Sequence, residues 1–329
     1  MGMSDTATDT APRDLVTGMP PASEMSVDSS SPVTSETPEL ILGGQNFGHR
    51  PVVMGILNRT PDSFYDAGAY WDFDDFLSLA ETLVEEGADI LDVGGVKAGP
   101  GTEVTEAEEL DRVVPAIAEL AARFDVPVSA DTWRASVAEE AYKVGAVLGN
   151  DISGFGDPDY LHIAAEYKVG VVACHVRLAP RYADPNPIYQ DLVADVKSYL
   201  GERRDWAIAA GIPRNSILLD VGLDLGKTPA MSAELLRASH ELLELGCPLL
   251  LSASNKGFLG ELCEADITQR DIPSMAAHAL GLLAGCQVLR VHNVKATKTI
   301  CETIQRLREQ RLREAHRHSA PAQGLPAQG

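Results

Sequence analysis

Glu86-Gly87-Ala88-Asp89-Ile90-Leu91-Asp92 leaves a helix-like stretch through a glycine, runs along a short apolar strand and stops on a carboxylate. The same order returns in Val144-Gly145-Ala146-Val147-Leu148-Gly149-Asn150 and in Val169-Gly170-Val171-Val172-Ala173-Cys174-His175. It returns again in Ala210-Gly211 ahead of Ile217-Leu218-Leu219-Asp220, in Leu245-Gly246 ahead of Leu249-Leu250-Leu251-Ser252, and in Ala284-Gly285 ahead of Val288-Leu289-Arg290. A glycine just past a helix suits a left-handed cap, and an unbroken apolar run suits a parallel strand covered on both faces. With Val52–Asn58 and Val126–Asp131 the chain offers eight such strands.

The segments between them carry helical periodicity, as in Phe76, Leu79, Ala80, Leu83 and Val84. Thr105-x-x-Glu108 reads as a capping box at the start of the helix after the second strand. Eight strand-helix units predict an α/β fold of the (β/α)8 TIM barrel type, for which about 250 residues is typical. A doubly wound open sheet is the alternative, weakened because no Gly-x-Gly-x-x-Gly follows the first strand. Outward from the barrel, residues 1–45 are rich in Ser, Thr, Pro, Asp and Glu and predict a disordered extension. The barrel is expected over 46–315, and the Pro/Gly-containing end, 316–329, as a disordered tail.

Composition narrows the function. Of 329 residues 45% are hydrophobic, so a sizeable core can be buried, yet no apolar run approaches the roughly 20 residues of a membrane span. Lys and Arg number 27 against 48 Asp and Glu, a formal charge of −21 that repels phosphate backbones and acidic bilayers. No nucleic acid and no membrane are expected as partners, and an anionic ligand must be held by a few local cations. The five cysteines form no Cys-x-x-Cys pair and lie mostly in apolar runs, which predicts buried thiols and a cytoplasmic protein.

In a barrel of this type the active site forms at the carboxyl ends of the strands. Those ends carry Asn58, Asp92, Asp131, Asn150 with Asp151, His175, Asp220, Ser254 with Lys256, and Arg290 with His292. Each alone could be a loop cap; their convergence on one mouth predicts a ligand site. Carboxylates and an amide can grip the N–H edge of a flat, amine-bearing heterocycle, while the cations suit a carbonyl or a phosphate. Gly222 to Thr228 mimics a phosphate loop but is one residue too short between its glycines. Zinc-protease, hydrolase-elbow and EF-hand signatures are absent.

Met54-Gly55-Ile56-Leu57-Asn58-Arg59-Thr60-Pro61-Asp62-Ser63-Phe64-Tyr65-Asp66 resembles the first signature of the dihydropteroate synthases of folate biosynthesis. Asp92-Val93-Gly94-Gly95 with Pro100-Gly101, Asp131-Thr132, Asn150 to Gly154, Asp220 with Gly226-Lys227-Thr228, Ser254 with Lys256, and Arg290-Val291-His292 continue the resemblance in order. It implies a (β/α)8 barrel, usually homodimeric, that condenses a hydroxymethyl-dihydropterin diphosphate with p-aminobenzoate. By that resemblance Asp131, Asn150, Asp220 and Lys256 hold the pterin. Asn58, with a bound Mg²⁺, and Arg290 with His292 hold the diphosphate.

The chain also departs from the pattern. Val96-Lys97-Ala98-Gly99 stands where the family has Glu-Ser-Thr-Arg, Leu225 where it has Phe, and Asn255 where it has Arg. The pterin positions are kept, whereas groups that in the family order the loops and hold p-aminobenzoate are lost. The leading expectation is a pterin-binding relative whose synthase activity is weak or lost, so that its standing as a transferase is open. An active synthase in which Lys97 or Arg59 supplies the missing cation, and a non-synthase pterin or methyl-folate binding protein, are the alternatives.

Overall fold

A computed structural model of the chain describes residues 39–60, 72–99 and 101–319, with side chains to residue 310. All of these lie in the compact unit Glu36–Gly329. The extension through residue 38, the end of the chain from 320, Asp62, Phe64 and Asp66 of the first signature, and Pro100 lie outside the described residues.

In chain order the elements are β1 (Leu40–Leu42), β2 (Gln45–Gly48), β3 (Val52–Asn58), α1 (Phe73–Glu85), β4 (Ile90–Gly94), α2 (Glu106–Arg123), β5 (Val128–Asp131), α3 (Ala135–Lys143), β6 (Ala146–Asp151) and α4 (Tyr160–Glu166). There follow β7 (Gly170–Cys174), α5 (Leu192–Ala209), β8 (Ile217–Asp220), α6 (Pro229–Arg237), β9 (Leu249–Leu251), α7 (Gly257–Leu262), α8 (Asp271–Leu283), β10 (Val288–Val291) and α9 (Val294–Ser319). Strands β3 to β10 close into a parallel barrel in the order β10-β3-β4-β5-β6-β7-β8-β9. The expected (β/α)8 barrel is the fold.

The glycine rule holds for most strands and fails once, for a steric reason. Gly87, Gly145, Gly211, Gly246 and Gly285 take positive φ past their helices. After α4 the left-handed residue is Lys168, with φ 56°. Gly170 instead opens β7, where an added Cβ would come within 2.7 Å of the Ser216 carbonyl. At the start of α2, Thr105 accepts from the Glu108 N–H at 3.2 Å as expected, but the Glu108 carboxylate turns away to pair with Arg112.

Two apolar layers hold the barrel. The larger lies between strands and helices and includes Leu57, Phe76, Leu91, Ile117, Val171, Leu219, Leu251 and Leu289. The smaller fills the amino-terminal end of the bore: Met54, Ile90, Leu148, Val172, Leu218, Leu250 and Val288 meet Leu40, Leu42 and Phe47 of the β1–β2 hairpin. The hairpin is tied down by Ser216 Oγ donating to the Ile41 carbonyl at 2.8 Å and by Gln287 Nε2 donating to the Gly48 carbonyl at 2.7 Å. Residues 39–45, assigned by composition to the extension, therefore belong to the barrel floor, and Leu40 and Leu42 are fully buried. At the other end α9 runs to Ser319, beyond the boundary placed at 315. Among the described residues no helix is long and apolar enough to cross a membrane.

His278 of α8 is fully buried against α9, with Nδ1 3.3 Å from Thr297 Oγ1. Burial lowers its pKa from 6.5 to about 4. It is therefore neutral in the folded chain but takes a proton on unfolding below pH 6.5, so acid draws the chain toward the unfolded state. Stability contributed this way is present above pH 6.5 and is lost as pH falls toward 4, at about 1.4 kcal/mol per unit. His278→Leu should flatten that limb. Thr297 Oγ1 still donates to the Asn293 carbonyl at 2.8 Å. Urea melts at pH 7, 5.5 and 4.5 should show the gap between variant and wild type moving in the variant's favour with acid; a constant gap would remove His278 from the acid limb.

Candidate functional site

Side chains alternate between bore and helix layer along each strand, so the residue two positions above each floor residue also faces inward. Above Ile90, Leu148, Val172, Leu218, Leu250 and Val288 stand Asp92, Asn150, Cys174, Asp220, Ser252 and Arg290. On five of these strands one step turns an apolar bore into a polar one, while β7 offers Cys174 and on β3 the apolar Ile56 stands above Met54.

Arg290 is the hub of that layer. Its Nε donates to Asp92 Oδ2 at 2.6 Å and its Nη2 to Asp131 Oδ2 at 2.7 Å, and Asn150 Nδ2 donates to the same Asp92 oxygen at 3.1 Å. Burial disfavours the Arg290 charge, but the carboxylates of Asp92 and Asp131 outweigh it and hold the guanidinium firmly protonated. Asp131 is pushed up to about 7 by burial, which Arg290 opposes and Asp92 reinforces. Among the described residues Asp92 Oδ1 is buried with no hydrogen-bond partner. A buried carboxylate oxygen in that state is a waiting acceptor. Asp220 is buried beside this group; its Oδ1 accepts from the Gly222 N–H at 2.8 Å, and burial raises its pKa against the pull of Lys256, Lys227 and Arg290.

Above the layer lies a cavity of about 260 Å³ lined by Asn58, Ser254, Lys256, Arg290 and His292, with Asp224 on one side. His292 shares a hydrogen bond with Ser254 Oγ at 2.9 Å and its pKa is lowered to about 3 by burial and then by Arg290 and Lys256. It is a neutral imidazole at physiological pH, a hydrogen-bonding partner for an anion and not a cation. The seven predicted site residues thus fall in one place: Asp131, Asn150 and Asp220 in the polar layer, Asn58, Lys256 and His292 in the cavity, and Arg290 in both.

A second cavity of about 270 Å³ adjoins it, bounded by Ala98 and Gly99 after β4, by Leu178 to Asp184 after β7, and by Asp224 to Lys227 after β8. Lys227, the tempting phosphate-loop lysine, points elsewhere. Its ammonium is buried on His175 Nδ1 at 2.9 Å, the Gly222 carbonyl at 2.9 Å and the Leu225 carbonyl at 3.0 Å, and burial lowers its pKa to about 8. Lys227 staples the β8 turn to the end of β7. The loop after β4 is held by arginines: Arg112 on the Gly95 carbonyl at 2.7 Å, Arg134 on Val104 at 2.8 Å and Arg181 on Thr102 at 2.6 Å. Arg134 is itself anchored by the buried Glu109.

Sequence reasoning placed Asp92 among the strand ends without giving it a role, and it did not see Asp224 or Arg181. For Asp92 the signal was present, since it and Asp131 are strand-end carboxylates that must share one arginine. Arg181 reaches across 79 positions of sequence to Thr102, and no local pattern announces that. The departures that line a cavity also separate: Ala98, Gly99 and Leu225 line the second. Asn255 lines the first, with φ 57°, its N–H on Ser274 Oγ at 2.9 Å.

The model of the family described as "Pterin binding enzyme" matches residues 54–292. The dihydropteroate synthase of Haemophilus influenzae is 37% identical over 256 residues, 78% of this chain and 93% of that protein. A protein of Mycobacterium leprae named inactive dihydropteroate synthase 2 is 40% identical over 265 residues, 79% of this chain and 91% of its own. Among solved structures, the dihydropteroate synthase of Xanthomonas albilineans with 4-aminobenzoic acid superposes with a TM-score of 0.76 at 38% identity, covering 83% of this chain and 98% of that one. A family match that begins on β3, ends just past β10 and so encloses the whole polar mouth identifies the chain as a member of the dihydropteroate synthase family of pterin-binding enzymes.

Proposed function

We propose that this protein binds a hydroxymethyl-dihydropterin diphosphate of folate biosynthesis in the first cavity and condenses it with p-aminobenzoate weakly or not at all. The observation that carries this reading is the contrast between a complete polar layer and a second cavity whose β4 and β8 loops present only Ala98, Gly99 and Leu225 at the departed positions. The amine-bearing edge of the pterin is assigned to Asp131, Asn150, Asp220 and Lys256. Asp92 Oδ1, buried and waiting, is added as a further acceptor.

The diphosphate is assigned to Arg290 and His292. A Mg²⁺ fits as an ion carried in with it. Asn58, which lines the cavity, would supply one amide oxygen, and Mg²⁺ commonly completes its shell from phosphate and water. When bound it would supply charge neutralisation on the leaving diphosphate. Lys256 and Arg290 face the same charge from the protein side.

Synthase turnover would need an ordered cation and a ring face in the second cavity, and their loss costs on the order of a thousandfold in rate. Arg59 does not fill that need: its guanidinium lies over the Phe73 and Phe76 rings at 5.1 and 5.4 Å. Lys97 is not among the residues lining either cavity. The active reading has a specific candidate in Arg181 instead, which does line the second one. Calorimetry with pterin diphosphate, paired with a steady-state assay using p-aminobenzoate, separates the readings. Tight binding with little dihydropteroate is expected, and ordinary turnover would overturn the proposal. Ala98→Thr, Gly99→Arg and Leu225→Phe together should raise kcat/KM, with little from each alone. Gly99 has open space where a side chain would grow.

Homodimerisation belongs to the same proposal. Ile272, Leu280 and Leu283 stand exposed along α8, an apolar face suited to a second copy. Sedimentation equilibrium should give a dimer, and Ile272→Glu should shift it toward monomer.

A further inference from the structure

The loop between β7 and α5 carries two neighbours, Arg181 and Tyr182, into the wall of the second cavity. Arg181 takes φ of 70°, a left-handed backbone that suits glycine and that a residue with a Cβ adopts only at a cost. Strain of this kind collects where a side chain has to be delivered to a particular place. Here it delivers a guanidinium to the loop after β4, where Nη2 donates to the Thr102 carbonyl at 2.6 Å.

The charges around the cavity set Arg181 apart. Asp184 pairs with Arg177, which reaches both of its oxygens. Asp224, with φ of 66°, accepts from the Phe258 N–H of α7 at 3.2 Å and attracts the buried Lys227 ammonium. Lys227 is turned onto His175 Nδ1 and the Gly222 and Leu225 carbonyls. Arg181 has a neutral carbonyl for its partner, and among the described residues no carboxylate pairs with it. The rest of its N–H fork can therefore take an anion. Beside it Tyr182 is 75% exposed while lining the cavity, a ring face that water now covers, and Leu178 and Leu225 add apolar wall.

We propose that Arg181 and Tyr182 make the second cavity a site for an aromatic carboxylate. From the loop after β7 they supply the cation and the ring that the loops after β4 and β8 lack at Gly99 and Leu225. This rests on reading that cavity as the amine site of the proposed function, and it concerns affinity, not turnover. In a partly desolvated space a guanidinium fork holds a carboxylate by paired, charge-assisted bonds. A carboxamide offers it a single neutral oxygen and an NH₂ group that a guanidinium cannot pair with. The ring of either ligand can lie on Tyr182 whichever group its para position carries.

The test is calorimetric titration of p-aminobenzoate and of 4-aminobenzamide, its uncharged counterpart, into wild type, Arg181→Met, Arg181→Lys and Tyr182→Ala, each with and without saturating 6-hydroxymethylpterin. Wild type should bind the acid on the order of tenfold more tightly than the amide. Arg181→Met should bring the two to parity, and Arg181→Lys, which keeps the charge without the fork, should fall between. Tyr182→Ala should weaken both several-fold and leave their ratio where it was. Equal affinities in wild type, a preference for the acid that survives Arg181→Met, affinities unmoved by Tyr182→Ala, or no binding of either amine to wild type would overturn the proposal. Pterin binding and turnover are read separately. An acid preference carried by Arg181 beside absent pterin binding or ordinary synthase turnover would sink the parent reading alone, and pterin binding without the preference would sink this one alone.

Discussion

Arg290→Met is expected to cost about 3 to 5 kcal/mol of folding stability at pH 8, because it strands two carboxylates in the bore with nothing between them. Asp92 is fully buried and Asp131 partly so, and both lean on the same guanidinium at 2.6 and 2.7 Å. The loss should shrink with acid. Asp131 sits at about 7 with the arginine in place, and removing the cation that opposes burial pushes it higher still. A carboxyl raised in the folded state above its unfolded value contributes stability that is fully present below the unfolded pKa and lost as pH rises through the folded one. The variant should therefore be closest to wild type near pH 5 and furthest from it near pH 8. Chemical denaturation at the two values checks this, and an equal loss at both would mean that the pair with Asp131 is not what the substitution breaks. Arg290→Lys keeps a charge but cannot serve both carboxylates with a rigid fork, and should fall between.

Asp220→Ala carries the second large effect, on binding. Asp220 is a buried acceptor with one oxygen already fixed by the Gly222 N–H, so it is preorganised for a ligand that brings its own donors. Its removal should weaken pterin affinity by about 2 to 5 kcal/mol while leaving the barrel folded. Calorimetry with the unphosphorylated pterin alcohol isolates this contact from the diphosphate. Unchanged affinity would take Asp220 out of the site.

The barrel was legible because each strand must be covered on both faces and must end at one mouth, so Gly87 to Asp92 and Leu245 to Ser252 write the same unit in different letters. The polar mouth was legible for the same reason: Asp131, Asn150, Asp220 and Arg290 stop their strands at equivalent heights. What stayed hidden depended on which groups meet. Arg290 meets Asp92 across 198 positions and Asp131 across 159, so nothing local shows that the residue proposed for the diphosphate is also the counter-ion of the layer beneath. Asp224 looks like an ordinary polar loop residue until its left-handed φ and its bond to α7 are seen. Leu40 and Leu42 were masked by the Ser- and Pro-rich composition that precedes them, and alternation over so short a hairpin leaves little signal to find.

That hairpin does more than complete a core. It is the insulation under the charged layer: Leu40, Leu42 and Phe47 keep bulk water from rising through the bore to within one strand step of Asp92 and Arg290. A chain trimmed to begin at residue 46 would lose β1, flood the bore from below and raise the dielectric around Asp131, whose pKa would drift back toward that of an ordinary carboxyl. The acidity of the ligand-binding mouth is thus set in part at the opposite end of the barrel, by three apolar side chains that no ligand touches.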